Sequence, residues 1–307
     1  MSDGLKLGLT KNQDELKHLI DTTLLSESDI LNILDCAVRL KHNPDAFKNT
    51  LKNYSIAMVL EKPSMRTRVS FEVGIQKLGG QLVNLPPDDI GFGHREPLSD
   101  TMAVLSRYCD AIILRVKKHS DLLTCVAYTQ VPIINGLSDK THPCQALADI
   151  MTIKAYKSDT AHLVYIGDGN NVCQSLINIC DKLTLNLTVI TPDGRQPFDH
   201  GNAHVTTDIT ACDSADVIYT DVWSSMGQEP ANLADFMPYQ VNKKLLARAK
   251  SDAIILHCLP AVRGEEITNS ILTGPHSVVF EQAENRLYVQ QAVLLMILRS
   301  DLWQQWY

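Results

Sequence analysis

The chain has no C-x-x-C pair among its eight cysteines, no apolar run near the roughly 20 residues a membrane span needs, and no excess of basic residues. Each absence excludes a class. Cys36, Cys109, Cys125, Cys144, Cys173, Cys180, Cys212 and Cys258 are scattered, mostly inside apolar periodic segments. That pattern argues for reduced, buried thiols in a cytoplasmic protein and against a disulfide scaffold. Lys and Arg total 28 against 35 Asp and Glu, for a net charge of -7. Nothing there favours nucleic acid or an anionic membrane as a partner. Met1 to Thr10 lacks the apolar core of a signal peptide. Internal repeats, low-complexity tracts and long linkers are also missing.

What is present is a large core. The 307 residues are 45% hydrophobic, and a chain of that length is expected to divide into two domains of about 150 residues. Ser26-Glu27-Ser28-Asp29 reads as a capping box before a helical pattern from Ile30 to Val38. Apolar runs predict strands at 55–60, 82–85, 111–116, 131–134, 162–166, 187–190, 216–220, 253–257 and 277–280. Many are continuous rather than alternating, as in parallel strands covered on both faces. Strands alternating with helices predict an α/β fold of two doubly wound parallel sheets. A Pro-started helix, 143–157, is placed to join them. A last amphipathic helix, from about Glu284, is expected to pack back on the first domain.

The most informative stretch is Ser64-Met65-Arg66-Thr67-Arg68. It lies between an apolar strand and a helical run that Gly79-Gly80 ends. A strand-to-helix turn exposes free N–H groups at the positive end of the helix dipole. Two arginines and two hydroxyls there suit a phosphate-sized anion. Cationic side chains at that end oppose the dipole unless an anion is bound.

The unusual polar residues follow apolar strands: Glu61 to Ser64, Arg115, Asn135, Asp168, Asp221 and His257. In open α/β sheets ligands bind at the carboxyl ends of strands, so one cleft is expected to collect them. His142-Pro143-Cys144-Gln145 opens a helix, and His142 either donates to a ligand carbonyl or merely caps the helix. Asp221 to Gly227 could be an ammonium-binding loop, but taken alone it reads more readily as a surface turn packed by Trp223. Cys258 follows His257, which in extended chain points to the opposite face, so a Cys-His nucleophilic pair is not expected. No zinc-like spacing is present. Gly167-Asp168-Gly169-Asn170-Asn171 suggests a dinucleotide turn, but Val172 stands where the third glycine belongs.

Taken together, Ser64 to Arg68, Asn135 to Asp139, His142 to Gln145, Asp221 to Gly227, His257 to Pro260 and Glu281 to Arg286 resemble the ornithine carbamoyltransferases, in order and over about Leu16 to Arg299. The resemblance implies carbamoyl transfer from carbamoyl phosphate to L-ornithine, in a homotrimer without metal or organic cofactor. It implies that Ser64, Met65, Arg66, Thr67 and Arg115 hold phosphate. His142, Gln145 and Arg286 would grip the carbamoyl group. Asn171, Asp221, Ser225 and Met226 would bind ornithine, with Cys258 and Leu259 at the junction. The carbamoyl-phosphate domain would be 1–140 plus 286–307, and the ornithine domain 141–285. Rival acceptors are aspartate, putrescine or an acylated ornithine, and the remote alternative is a nicotinamide dehydrogenase. Two departures stand out. Gly91 occupies a place where the family often has Gln, and 191–217 looks too short for the usual helix and strand.

Overall fold

The computed structural model describes residues 18–90, 95–224 and 232–307. Its first sheet has the order β2-β1-β3-β4, all parallel, with β1 Ser55–Leu60, β2 Gln81–Leu85, β3 Ala111–Arg115 and β4 Ile133–Leu137. Helices α1 (Glu27–His42), α2 (Met65–Lys77), α3 (Pro87–Ile90), α4 (Leu98–Tyr108) and α5 (His119–Tyr128) belong to this lobe. The capping box at Ser26 and Asp29 forms as expected.

The long helix α6 (Pro143–Tyr156) leads to the second sheet, order β7-β6-β5-β8-β9 and again parallel. Its strands are β5 Leu163–Ile166, β6 Leu187–Ile190, β7 His204–Thr206, β8 Val217–Thr220 and β9 Ile254–His257. Helix α7 (Asn171–Leu183) follows β5, and the short α8 (Leu233–Phe236), α9 (Lys243–Leu246) and α10 (Asn269–Leu272) lie later. Helix α11 (Val279–Leu298) packs on α1, α2 and α6, and α12 (Ser300–Trp306) closes the chain. The last helix thus returns to the first lobe. One apolar cluster runs from Leu19 and Met58 through Leu147 and Ile150 to Leu163, Leu256 and Leu294, so a single core spans both sheets.

Two expectations need correction. Residues 277–280 form no strand: Ser277 makes one isolated bridge to Ile255, and Val279 already opens α11. The apolar Val278-Val279-Phe280 run leads into a helix, with Val279 buried and Phe280 exposed, and a short apolar run cannot by itself be told from a strand. The 191–217 segment does contain a strand, β7 at the sheet edge; between β6 and β7 there is no helix, and Arg195 to Asn202 is loop.

Strand order fixes where ligands sit. From β1 the chain goes to β2 on one side and then to β3 on the other; from β5 it goes to β6 and β7, then to β8. Each sheet therefore reverses once, between β1 and β3 and between β5 and β8. Such switch points open crevices at the carboxyl ends of the strands.

Candidate active site

Both crevices open into one cleft of about 410 Å³, within the usual range of small-ligand sites. From the first lobe come Ser64, Met65, Arg66, Arg115 and Leu137; from the second come Asn171, Asp221 and Cys258. His142 and Gln145 enter from α6 and Arg286 from α11.

The phosphate-type turn forms at the end of β1. Ser64 is the N-cap of α2; its Oγ accepts from the Thr67 backbone N–H at 3.3 Å and donates to Thr67 Oγ1 at 3.1 Å. Arg115 pairs with Leu60 across β1 and β3, which puts its guanidinium beside this turn. A register shift after Leu114 skips Gly136, where a Cβ would press within 3.3 Å of the Leu114 carbonyl. Arg115 Nη1 and Arg286 Nη2 both donate to Thr67 Oγ1, at 3.3 and 3.2 Å. Among the described residues no carboxylate pairs with Arg66, Arg115 or Arg286. Burial, then the charges of Arg286 and Arg66, lower the Arg115 guanidinium to about 10, still cationic at neutral pH. Arg286, buried, is lowered as well. Three cations crowding a helix N-terminus repel one another until an anion enters. Arg68, the second arginine of the motif, is exposed and faces away from this cleft.

His142 holds the N-cap position of α6, yet its side chain makes no capping bond. Burial first, then Arg286 and Arg115, drive its imidazole well below the usual range, so the ring is neutral. Its Nδ1 is buried without a partner, as are Gln145 Oε1, Arg115 Nε and Arg286 Nε. Gln145 closes no capping box either; its Nε2 donates to Asp149 Oδ1 at 2.8 Å.

On the opposite wall, β8 pairs Thr220 with Ile166 of β5 and with His257 of β9. The next residues are thereby neighbours: Asp221 Oδ1 accepts from Cys258 Sγ at 3.0 Å, and Oδ2 accepts from Asn170 Nδ2 at 2.8 Å. Burial and the Asp221 carboxylate push the Cys258 thiol well above its ordinary range. A protonated thiol is a hydrogen-bond donor and a poor nucleophile. His257 instead turns into the protein, its Nδ1 accepting from Leu259 N–H and its Nε2 bonded to Glu266 Oε1, both at 2.9 Å. The Asp221, His257 and Cys258 donor atoms lie within 4.8 Å of one another. With both ring nitrogens engaged, His257 has no free lone pair for a metal.

Of the remaining motif residues, some reach the cleft and others do not. Asn171 begins α7 and its Nδ2 donates to the Ser138 carbonyl at 2.7 Å, across the lobes. Leu259 takes a positive φ of 57° beside a cis bond to Pro260, and both line the cleft. Asn135 is away from it, bracing the chain through Ile20 O and Thr141 Oγ1. Trp223 is buried against Phe236, ring centroids 5.4 Å apart, so the packing reading of that residue is correct. Ser225, Met226 and Gly91 lie outside the described residues. Gly169 serves no dinucleotide: a Cβ there would overlap Pro197 and Gln196 of this chain's own loop.

Lys62, Val222 and Ser224 line the cleft within stretches the sequence singled out, though it gave none of them a role of its own; sequence reasoning missed Val172 in the lining and the buried layer of Asp149, Tyr219, Glu266 and Gln282 behind it. Asp149 carried a signal, an acid one turn beyond Gln145 in an otherwise apolar helix. Gln282 and Glu266 carried none, since only packing shows that they are buried.

Sequence comparison agrees with this geometry. Residues 17–155 match the aspartate/ornithine carbamoyltransferase carbamoyl-P binding domain, and residues 159–297 match the Asp/Orn binding domain of the same family. An ornithine carbamoyltransferase of Archaeoglobus fulgidus is 44% identical over 303 residues, covering 93% of this chain and 99% of the relative. One from Acidothermus cellulolyticus is 46% identical, covering 92% and 97%. The solved structure of the Pyrococcus furiosus ornithine carbamoyltransferase superposes with a TM-score of 0.88 at 43% identity, covering 92% of this chain and 97% of that one. With two crevices facing each other across one cleft, and both domains matched, the chain belongs to the aspartate/ornithine carbamoyltransferase family.

Proposed function

We propose that this protein transfers the carbamoyl group of carbamoyl phosphate to the side-chain amine of L-ornithine, giving L-citrulline and phosphate. The observation that carries the reading is the division of charge in the cleft. Arg66, Arg115 and Arg286 crowd one wall without carboxylate partners among the described residues, and Asp221 stands on the other. The first wall suits a phosphate, and the second suits the ammonium of an amino acid.

The roles follow from the chemistry. The N-terminus of α2, Ser64 to Thr67, and Arg66 and Arg115 take the phosphate. Neutral His142 and Arg286 donate to the carbamoyl oxygen, and Gln145 holds the carbamoyl nitrogen. Asp221 receives the ornithine α-ammonium on lone pairs left free by Asn170 and Cys258, with Asn171, Ser225 and Met226 at the amino-acid end. Cys258 and Leu259 border the two substrates. The ornithine δ-nitrogen attacks the carbonyl carbon, the C–N bond forms, and the C–O bond to phosphate breaks with its electron pair on the leaving phosphate. A primary amine of pKa about 10.4 must first lose its proton, which at pH 7.4 corresponds to about 4 kcal/mol. The nearby cations and burial lower that cost. Donors aimed at the developing oxyanion lower the barrier further.

The same reading assigns 1–140 plus 286–307 to carbamoyl phosphate and 141–285 to ornithine. It takes the protein as a cytoplasmic homotrimer of arginine metabolism. Family resemblance supports that assembly and setting. A colorimetric citrulline assay on the purified protein, with ornithine, acetylornithine, putrescine and aspartate offered in parallel, tests the function. Turnover fastest with ornithine is expected; no product from ornithine refutes it.

A further inference from the structure

Asp149 lines no part of the cleft, yet it is fully buried on α6 and accepts three hydrogen bonds. Gln145 Nε2 and Gln282 Nε2 reach its Oδ1 at 2.8 and 2.7 Å, and the Tyr219 hydroxyl reaches Oδ2 at 3.0 Å. No cation pairs with it among the described residues. Burial raises its carboxyl to about 6, against the pull of the three donors and of the Arg286 charge; with donors on both oxygens its geometry is that of a carboxylate, which only accepts.

The direction of these bonds is forced. Gln282 Oε1 accepts from the His257 backbone N–H at 2.9 Å. A backbone N–H cannot accept, so the Gln282 amide has one permitted orientation and must present its –NH2 to Asp149. Asp149 Oδ1, an acceptor, then requires the –NH2 of Gln145. Gln145 is left with its Oε1 at the cleft wall, buried and without a partner. A primary amide free to turn would offer either a donor or an acceptor there.

We propose that Asp149 is a positioning residue for substrate selection. Through the relay from the His257 N–H to Gln282, Asp149 and Gln145, it fixes an acceptor at the place where the carbamoyl –NH2 arrives. The cleft thereby prefers a carbamoyl group over an acyl group with a methyl in that place. The inference rests on the carbamoyl-transfer reading above and adds what selects the donor substrate.

Two inhibitors read the effect: phosphonoacetamide, which has the –NH2, and 2-oxopropylphosphonate, which has a methyl instead. Their affinities are measured by calorimetry on the full-length protein, with inorganic phosphate as a control for the anion cradle. The wild-type protein is expected to bind the amide at least tenfold tighter than the methyl ketone. Asp149→Leu removes the acceptor; the ratio is expected to fall by at least fivefold, with phosphate affinity held within threefold. Asp149→Asn restores an acceptor oxygen toward Gln145 and Gln282 and is expected to restore the ratio. Equal losses for both inhibitors in Asp149→Leu, leaving the ratio unchanged, overturn the proposal, as does loss of the ratio in Asp149→Asn. Should Asp149→Leu not fold, neutron diffraction of the wild-type phosphonoacetamide complex decides: deuterons on Gln145 facing Asp149 support the relay, and the reversed amide overturns it. A wild-type protein that binds neither inhibitor nor phosphate defeats the functional reading itself, a result distinct from an unchanged ratio.

Discussion

Arg115, from the end of β3, and Arg286, from α11, donate to the same oxygen, Thr67 Oγ1, at 3.3 and 3.2 Å. Two guanidiniums held on one hydroxyl are pre-positioned for a shared anion. Thr67→Val keeps the shape and removes the acceptor. It leaves the buried Arg286 and the half-buried Arg115 without that partner, at a cost of about 1–3 kcal/mol. The expected result is a KM for carbamoyl phosphate raised about tenfold or more, with the KM for ornithine little changed, read by steady-state kinetics. An unchanged carbamoyl phosphate KM would separate Thr67 from the anion site.

Arg66 is only half-buried and makes no ion pair among the described residues. Its removal should therefore cost little stability and much catalysis. Arg66→Ala is expected to lower citrulline formation about 100-fold or more, while thermal melting stays within a few degrees of the parent. Near-normal turnover would refute the phosphate assignment.

Cys258 donates to Asp221 and is held protonated by burial and by that carboxylate. The substitution Cys258→Ser keeps a donor at the same place. We expect a higher ornithine KM and a lower kcat with activity retained. Mass spectrometry of the enzyme quenched during turnover should show no adduct on Cys258; a carbamoylated thiol would establish covalent catalysis instead.

His142 is buried neutral, its folded pKa below the usual 6.5. The unfolded chain then binds a proton that the folded one does not. Stability is full above pH 6.5 and falls as pH drops below it, by about 1.4 kcal/mol per pH unit for one proton. Urea unfolding between pH 5 and 7 should show stability falling more steeply with acid in the parent than in His142→Asn, the difference between the two slopes approaching that figure. Identical slopes would mean that His142 takes up its proton equally in both states.

The strands were legible because parallel, doubly covered strands are continuous apolar runs, and the turn from Ser64 to Arg68 was legible because charge concentrates there. Val278-Val279-Phe280 misled because a short apolar helix start has the same composition as a strand. Asp149 and Gln282 were beyond sequence reasoning because a buried polar relay has no period; it exists only where four elements meet.

Local order in the chain was enough for the two-sheet α/β class, the helix starting at Pro143 and the polar motifs at the strand ends, since each of these depends on neighbours a few positions apart. Which of those residues meet depended on strand order and register. Asp221 touches Cys258 because β8 lies beside β9, and Arg286 reaches Thr67 because α11 packs back on the first lobe. The sense of the Gln145 amide was decided last and least locally, by a backbone N–H of β9 acting through two buried side chains. Long-range packing alone brings such groups within hydrogen-bonding distance, and no local pattern encodes it.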